Sequence, residues 1–225
     1  MNRAMWVRVV LMLVVAALLV WRVSTSGRAP HGAEHGAAGY SSGSGGEEQA
    51  AAQGPAPGAE PLTSIAGGLT DQDGHARTLG EFRGAPFVAS AIYTRCASVC
   101  PRTVAELQRL DRSLPVGDAP RFVLFSLDPA HDTPRALRTF ASAHGLVGAR
   151  WTLLRPDTSA LPAIAHALGL AWNPDPGGGI AHTAVIAIVD SSGRVRDQRT
   201  ALDADPAALL AAWRRIGMAQ RQVAD

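Results

Sequence analysis

Cys96 and Cys100 are the only thiols in the 225-residue chain, and they stand four positions apart in Tyr93-Thr94-Arg95-Cys96-Ala97-Ser98-Val99-Cys100-Pro101. On a helix that spacing puts both side chains on one face, one turn apart, with Cα atoms about 6 Å apart. Sulfurs so placed can close a disulfide or grip one soft metal. As a staple the disulfide is weak, because closing so short a loop stabilises by only about 2 kcal/mol. The pair therefore points to redox or metal chemistry. Pro101 disfavours helical geometry at Cys100, so the regular helix is expected to start at Pro101, with both cysteines in the loop ahead of it. There the positive end of the helix favours thiolate, the form that attacks disulfides and binds metals.

Two thiolates seldom complete a metal site, and a structural zinc would ask for four ligands. Among the seven histidines, His182 is the best candidate for a third ligand. It precedes a strongly apolar stretch, 183–189, and a central strand there would place it at the rim of a sheet. The residues alone leave open a plain loop or capping role. His75, His131, His144 and His166 fit turns or helix surfaces, and His31 and His35 fall in a Gly-rich spacer. Two thiolates with one imidazole suit copper, since thiolate selects Cu(I) and imidazole suits Cu(II). Asp128 reads either as a support for the site from a strand end or as a turn residue beside Pro129.

The elements that must position these residues alternate. A hairpin about Asp71-Gln72-Asp73-Gly74, running on through 76–79, leads through a connector at 82–86 into a buried strand, 86–93. Asp-x-Asp-Gly lacks the later ligands of a calcium loop and reads as a turn. A helix at 103–114 carries Val104, Leu107, Leu110 and Leu114 on one face, and a second buried strand follows at 121–127. Asp132 or Thr133 caps a helix that runs to His144 and is stopped by Gly145. Then come a strand at 151–154, a helix at 159–168, a Pro/Gly loop at 173–179, a strand at 183–189, a turn at 190–193 into 194–198, and a helix at 205–216. Trp151 and Trp172 read as packing residues. Gly177-Gly178-Gly179 is expected to let the His182 loop open and close the site. This order gives an α/β domain with a mixed central sheet flanked by helices.

Ahead of the domain, residues 9–21 are an unbroken apolar run of thirteen, with Arg3 and Arg8 before it and Arg22 and Arg28 after. A helix of that length reaches roughly 20 Å, and about 27 Å if Arg8 snorkels and the span begins at Ala4. Residues 1–23 are therefore read as an uncleaved signal-anchor, in preference to a cleaved signal peptide, since no convincing cleavage site follows the run. Residues 24–60, rich in Gly, Ala, Ser and Pro, read as a flexible linker with a span on the order of 30 Å. The folded domain is expected at 61–218, with a tail at 219–225. The short basic N-terminus predicts a bacterial inner-membrane protein with its head in the periplasm; a mitochondrial inner membrane and a cleaved, soluble form rank lower. The formal charge is +2, all 21 Lys and Arg positions are arginine, and they are scattered, so no nucleic-acid surface is expected.

The chain resembles the Sco/SenC family over about 62–216. Thr94-x-Cys96-x-x-x-Cys100-Pro101 matches its Thr-x-Cys-x-x-x-Cys-Pro signature. Ser126-Leu127-Asp128-Pro129 with Asp132-Thr133-Pro134 and Leu137 matches its Ser-x-Asp-Pro-x-x-Asp-Thr-Pro-x-x-Leu block. His182, ahead of Asp190-x-x-Gly193, stands where the family has its histidine, and residues 69–74 with Arg83-Gly84 match its opening hairpin and connector. The resemblance implies a thioredoxin-like fold, copper held as Cu(I) or Cu(II) by Cys96, Cys100 and His182, and a membrane-tethered role in assembling the copper centre of cytochrome c oxidase. The implied partners are the copper-bearing oxidase subunit or another copper-centre protein. A thiol–disulfide reductant is needed as well, since periplasmic thiols tend to oxidise. Some relatives resemble thiol–disulfide reductases, so Cys96 and Cys100 also stand as a redox pair and possible disulfide. A peroxidase is the weaker reading, as the peroxiredoxin context is missing. Two departures bear on copper affinity: Ala97-Ser98 replaces the spacer's usual Pro and acid, and Ala181 replaces an acid before the histidine. Both remove carboxylates that orient ligands.

Overall fold

A computed structural model of the chain describes residues 60–114, 119–174, 179–200 and 205–224. The expected anchor, nearly all of the expected linker, Gly177 and Gly178 lie outside the described residues. Among the described residues, no helix is long and apolar enough to cross a membrane.

The elements are β1 (Leu69–Asp71), β2 (Ala76–Arg77), β3 (Phe87–Ile92), α1 (Val99–Ser113), β4 (Arg121–Ser126), α2 (Pro134–Ala143), β5 (Trp151–Pro156), α3 (Leu161–Ala167), β6 (Trp172–Pro174), β7 (Ile180–His182), β8 (Val185–Val189), β9 (Val195–Thr200) and α4 (Pro206–Ala224). Seven strands form one sheet in the order β2-β1-β5-β4-β3-β8-β9, and β6 pairs with β7 in a separate hairpin. β3, β4 and β5 run parallel, while β8 and β1 pair antiparallel at either side. Every residue of β3 and β8 is buried, as the continuous apolar runs of central strands require. Phe122 of β4 stacks on Trp151 of β5 with centroids 4.2 Å apart and planes 11° apart. This is the packing role expected of Trp151, and such a pair contributes about 0.5–1.5 kcal/mol beyond its burial.

The register decides what the sheet presents. β3 and β4 end side by side, Ile92 opposite Ser126, so the loops carrying Cys96 and Asp128 leave the same edge. β8 runs the other way, pairing Ser90 with Ile186, so its first residue lies at that edge too. Ser90 Oγ donates to the Val185 carbonyl at 2.6 Å and fixes this corner. His182 therefore arrives beside the cysteine loop although 82 residues separate it from Cys100.

Several elements differ from the sequence reading. The hairpin's second strand stops at Arg77, because Thr78 and Glu81 form a reciprocal capping box that turns 79–82 into a 3-10 turn. The expected loop at 173–179 begins in strand and is followed directly by one: Trp172–Pro174 pairs with Ile180–His182. His182 thus ends a strand instead of sitting in a loop. α1 begins at Val99, two residues before the expected start at Pro101. Pro101 falls at the third helical position, where its missing N–H would lack a helical partner anyway. The Cys100 N–H, instead, donates to Cys96 Sγ at 3.3 Å.

Candidate metal centre

Cys96, Cys100 and His182 bring one donor atom each to within 4.8 Å of one another. Cys100 Sγ lies 3.9 Å from His182 Nε2. Both thiols are free; Cys100 is fully buried, Cys96 nearly so and His182 half-buried. The Thr183 carbonyl lies 3.0 Å from His182 Nδ1. That acceptor places the ring proton on Nδ1 and leaves the Nε2 lone pair toward the thiols, the tautomer a metal ligand needs.

The two sulfurs differ in character. Burial works to raise the Cys96 thiol, but the Cys100 thiol and the N–H groups of Cys100, Ser98 and Val99 outweigh it and hold Cys96 below its ordinary range. Cys96 Sγ sits over the first turn of α1, where Ser98 makes no side-chain cap, and receives the orphan N–H groups itself. Burial pushes the Cys100 thiol far up, and hydrogen bonding to Cys96 adds to it. The expected thiolate-favouring effect of the helix end thus reaches Cys96 only. Cys96 is thereby the thiol the fold favours as thiolate, and a metal ion would displace both protons.

The cysteine loop is tied to the β4–α2 loop. Asp132, fully buried, accepts from Thr94 N–H at 3.1 Å, Thr94 Oγ1 at 2.6 Å and Ser126 Oγ at 2.6 Å. The cap of α2 is Thr133, whose Oγ1 accepts from the Ala136 N–H at 3.2 Å. Burial pushes the Asp132 carboxyl up, against the hydrogen bonds from Ser126 and Thr94. Asp128 bonds to none of the three candidate ligands: Arg95 Nη2 reaches its Oδ2 at 2.6 Å and His131 Nδ1 its Oδ1 at 2.8 Å. Its support is indirect, through Arg95 beside Cys96. Tyr93, buried next to the loop, was not singled out in the sequence; a buried tyrosine directly before the cysteine motif was the available signal.

A seven-stranded mixed sheet with a Cys-x-x-x-Cys pair at its strand ends and a histidine delivered just ahead of the neighbouring strand defines a thioredoxin-like protein with a candidate metal centre. A model of the SCO1/SenC family matches residues 63–216. The chain belongs to that family. It is 29% identical over 136 residues to a protein of Stutzerimonas stutzeri described as a putative copper-binding protein, covering 57% of this chain and 64% of that one. The chain therefore spans somewhat less than two thirds of that relative. Among solved structures, Bradyrhizobium japonicum ScoI with copper bound matches with a TM-score of 0.52 at 24% identity, over 67% of this chain and 96% of that one. BsSco, described as a member of the Sco family of cytochrome c oxidase assembly proteins and as having a disulfide switch, matches with a TM-score of 0.59 at 21% identity, over 68% and 92%. At these identities the two structures show the shared fold.

Proposed function

We propose that this chain is a copper-binding assembly protein, tethered by its N-terminal segment to a bacterial inner membrane with the head in the periplasm. Its task is to bring copper to the copper-bearing subunit of cytochrome c oxidase or to a similar copper-centre protein. The observation that carries the reading is the convergence of Cys96 Sγ, Cys100 Sγ and His182 Nε2 within 4.8 Å. Two thiolates and a neutral imidazole are a donor set that suits Cu(I) through sulfur and Cu(II) through nitrogen. Copper is the cargo. Three protein donors leave room for a partner's ligand, so ion transfer can proceed by exchange of one donor at a time. The described copper-binding relative and the copper-bound ScoI support the same reading.

The test is copper binding by reduced, oxygen-free protein, wild type beside His182→Ala. Tight one-to-one binding weakened at least a hundredfold by the substitution is expected. Weak binding indifferent to His182 overturns the reading.

The asymmetry between Cys96 and Cys100 favours a second reading, reduction of a partner's disulfide. Cys96 thiolate attacks one partner sulfur, the other leaves as a thiolate, and a mixed disulfide forms. Cys100 then displaces the partner's remaining sulfur, closing Cys96–Cys100 and passing two electrons to the partner. A separate thiol–disulfide reductant must restore the pair. This reading predicts disulfide turnover that survives His182→Ala.

A further inference from the structure

Tyr93 touches both the cysteine loop and the strand that carries His182. It follows β3 directly and is 8% exposed. Its carbonyl accepts the Cys96 N–H at 3.1 Å. Its hydroxyl accepts the Ile180 N–H at 3.3 Å, on the first residue of β7 and two positions before His182. Its ring stands edge-on to the His182 imidazole, with centroids 5.8 Å apart and planes at 75°.

A phenylalanine would fill the same space without a polar atom to bury, and an unpartnered buried hydroxyl is unfavourable. The tyrosine hydroxyl is explained if its partner needs holding. β6 and β7 form a two-stranded sheet separate from the main one, and an isolated two-stranded hairpin is marginally stable. Beside the strands, Thr183 N–H donates to the Ala171 carbonyl at 2.9 Å and Ala171 N–H to Thr183 Oγ1 at 3.1 Å. Both close the base of the hairpin on itself. The Tyr93 hydroxyl instead bonds it to the strand that delivers the thiols.

We propose that Tyr93 is a positioning residue whose hydroxyl latches the His182 hairpin to the cysteine loop, and that this latch sets how fast metal held at the site is released. The second half rests on the copper reading above; the first concerns the metal-free protein alone. The latch keeps Nε2 over the sulfurs, and loss of its hydrogen bond lets β7 lift and carry His182 away. The ring contact remains in a Phe variant and disappears in a Leu variant, so the two substitutions separate hydroxyl from ring.

The experiment compares wild type, Tyr93→Phe and Tyr93→Leu as the full chain, reduced and free of oxygen. Hydrogen exchange read by mass spectrometry on metal-free protein reports the peptide carrying 180–182 against peptides from β3 and β8. Transfer of Cu(I) from loaded protein to an excess chelator reports release. Expected for Tyr93→Phe is about tenfold faster exchange at β7, unchanged exchange in β3 and β8, and about tenfold faster copper release. Tyr93→Leu should exceed both changes. Unchanged β7 exchange in Tyr93→Phe overturns the latch. A rise shared by β3 and β8 does so too, because it marks general destabilisation. Faster β7 exchange with unchanged copper release overturns the link to metal release. A wild type that binds no copper sinks the copper reading and the release claim together, leaving the exchange data to decide the latch.

Discussion

Asp132 shows how a residue far from the donors can govern them. Its carboxylate gathers Thr94 N–H, Thr94 Oγ1 and Ser126 Oγ in a spot with no solvent exposure. Thr94 is two residues before Cys96, so Asp132 fixes where the thiol loop starts. Asp132→Ala would strand these donors and is expected to destabilise by roughly 2–4 kcal/mol, read as a lower denaturation midpoint at constant slope. Asp132→Asn, which keeps acceptor capacity, should lose less. An Ala variant within 0.5 kcal/mol of wild type would remove this account. The sequence exposed the cysteine pair by spacing and Asp132 by its place near a helix start. It could not tell capping from loop anchoring, because Asp132 and Thr94 lie 38 positions apart and nothing local encodes that contact. For Asp128 the two sequence readings were a support and a turn residue. In the structure its carbonyl accepts the His131 and Asp132 N–H groups as the chain turns, and its carboxylate binds Arg95.

At the scale of elements, local pattern fared well where one face or one turn decides and poorly where a partner decides. α1 and the central strands follow from apolar periodicity and continuous apolar runs. The start of α1 does not, since Cys96 Sγ replaces the missing side-chain cap and lets Cys100 turn helical before a proline. β6 and β7 were hidden for a similar reason: their pairing links Trp172 to His182 through composition typical of a loop. The β8–β9 turn makes the clearest element-level prediction. Gly193 has φ of +86°, and a Cβ there would lie 1.9 Å from Thr63 Oγ1 and 2.7 Å from Thr63 Cβ. Its carbonyl also accepts the Leu62 N–H at 2.8 Å, which docks the 3-10 turn Leu62–Ser64 onto the sheet. Gly193→Ala therefore combines left-handed strain with a clash and should destabilise by about 1–3 kcal/mol. Exchange should quicken at Leu62 before it does in the central strands. Pairing it with Thr63→Ala, which removes Oγ1 and Cγ2 but leaves the Thr63 Cβ 2.7 Å away, should recover only part of the loss. No recovery would place the cost in the backbone and the remaining Cβ contact, away from Oγ1 and Cγ2.

At the scale of the whole molecule, the three candidate ligands come from distant parts of the chain: the β3–α1 loop, the first turn of α1, and a strand just ahead of β8. The sheet must be assembled for them to meet, because β8 reaches β3 only by closing the antiparallel pairing of Phe87 with Val189 through Ser90 with Ile186. An unfolded chain keeps the two cysteines close but loses His182. Metal affinity is thus linked to the folded state, and binding must stabilise the fold by mass action. With free Cu(I) at about 100 times its dissociation constant the gain is at most about 2.7 kcal/mol, reduced by whatever affinity the cysteine pair keeps in the unfolded chain. For a domain of this size that ceiling corresponds to a rise in Tm of at most roughly 5–11 °C. Oxidising the pair to a disulfide removes both thiolates, so the oxidised protein should show almost none of this rise. His182→Ala should retain only the part that two adjacent sulfurs can give, since they bind the unfolded chain nearly as well as the folded one. Calorimetry of the reduced, oxidised and His182→Ala forms with and without Cu(I) separates these cases. An equal rise in the reduced and oxidised forms would place copper away from the sulfurs. An equal rise in wild type and His182→Ala would mean that the assembled sheet contributes nothing to the site.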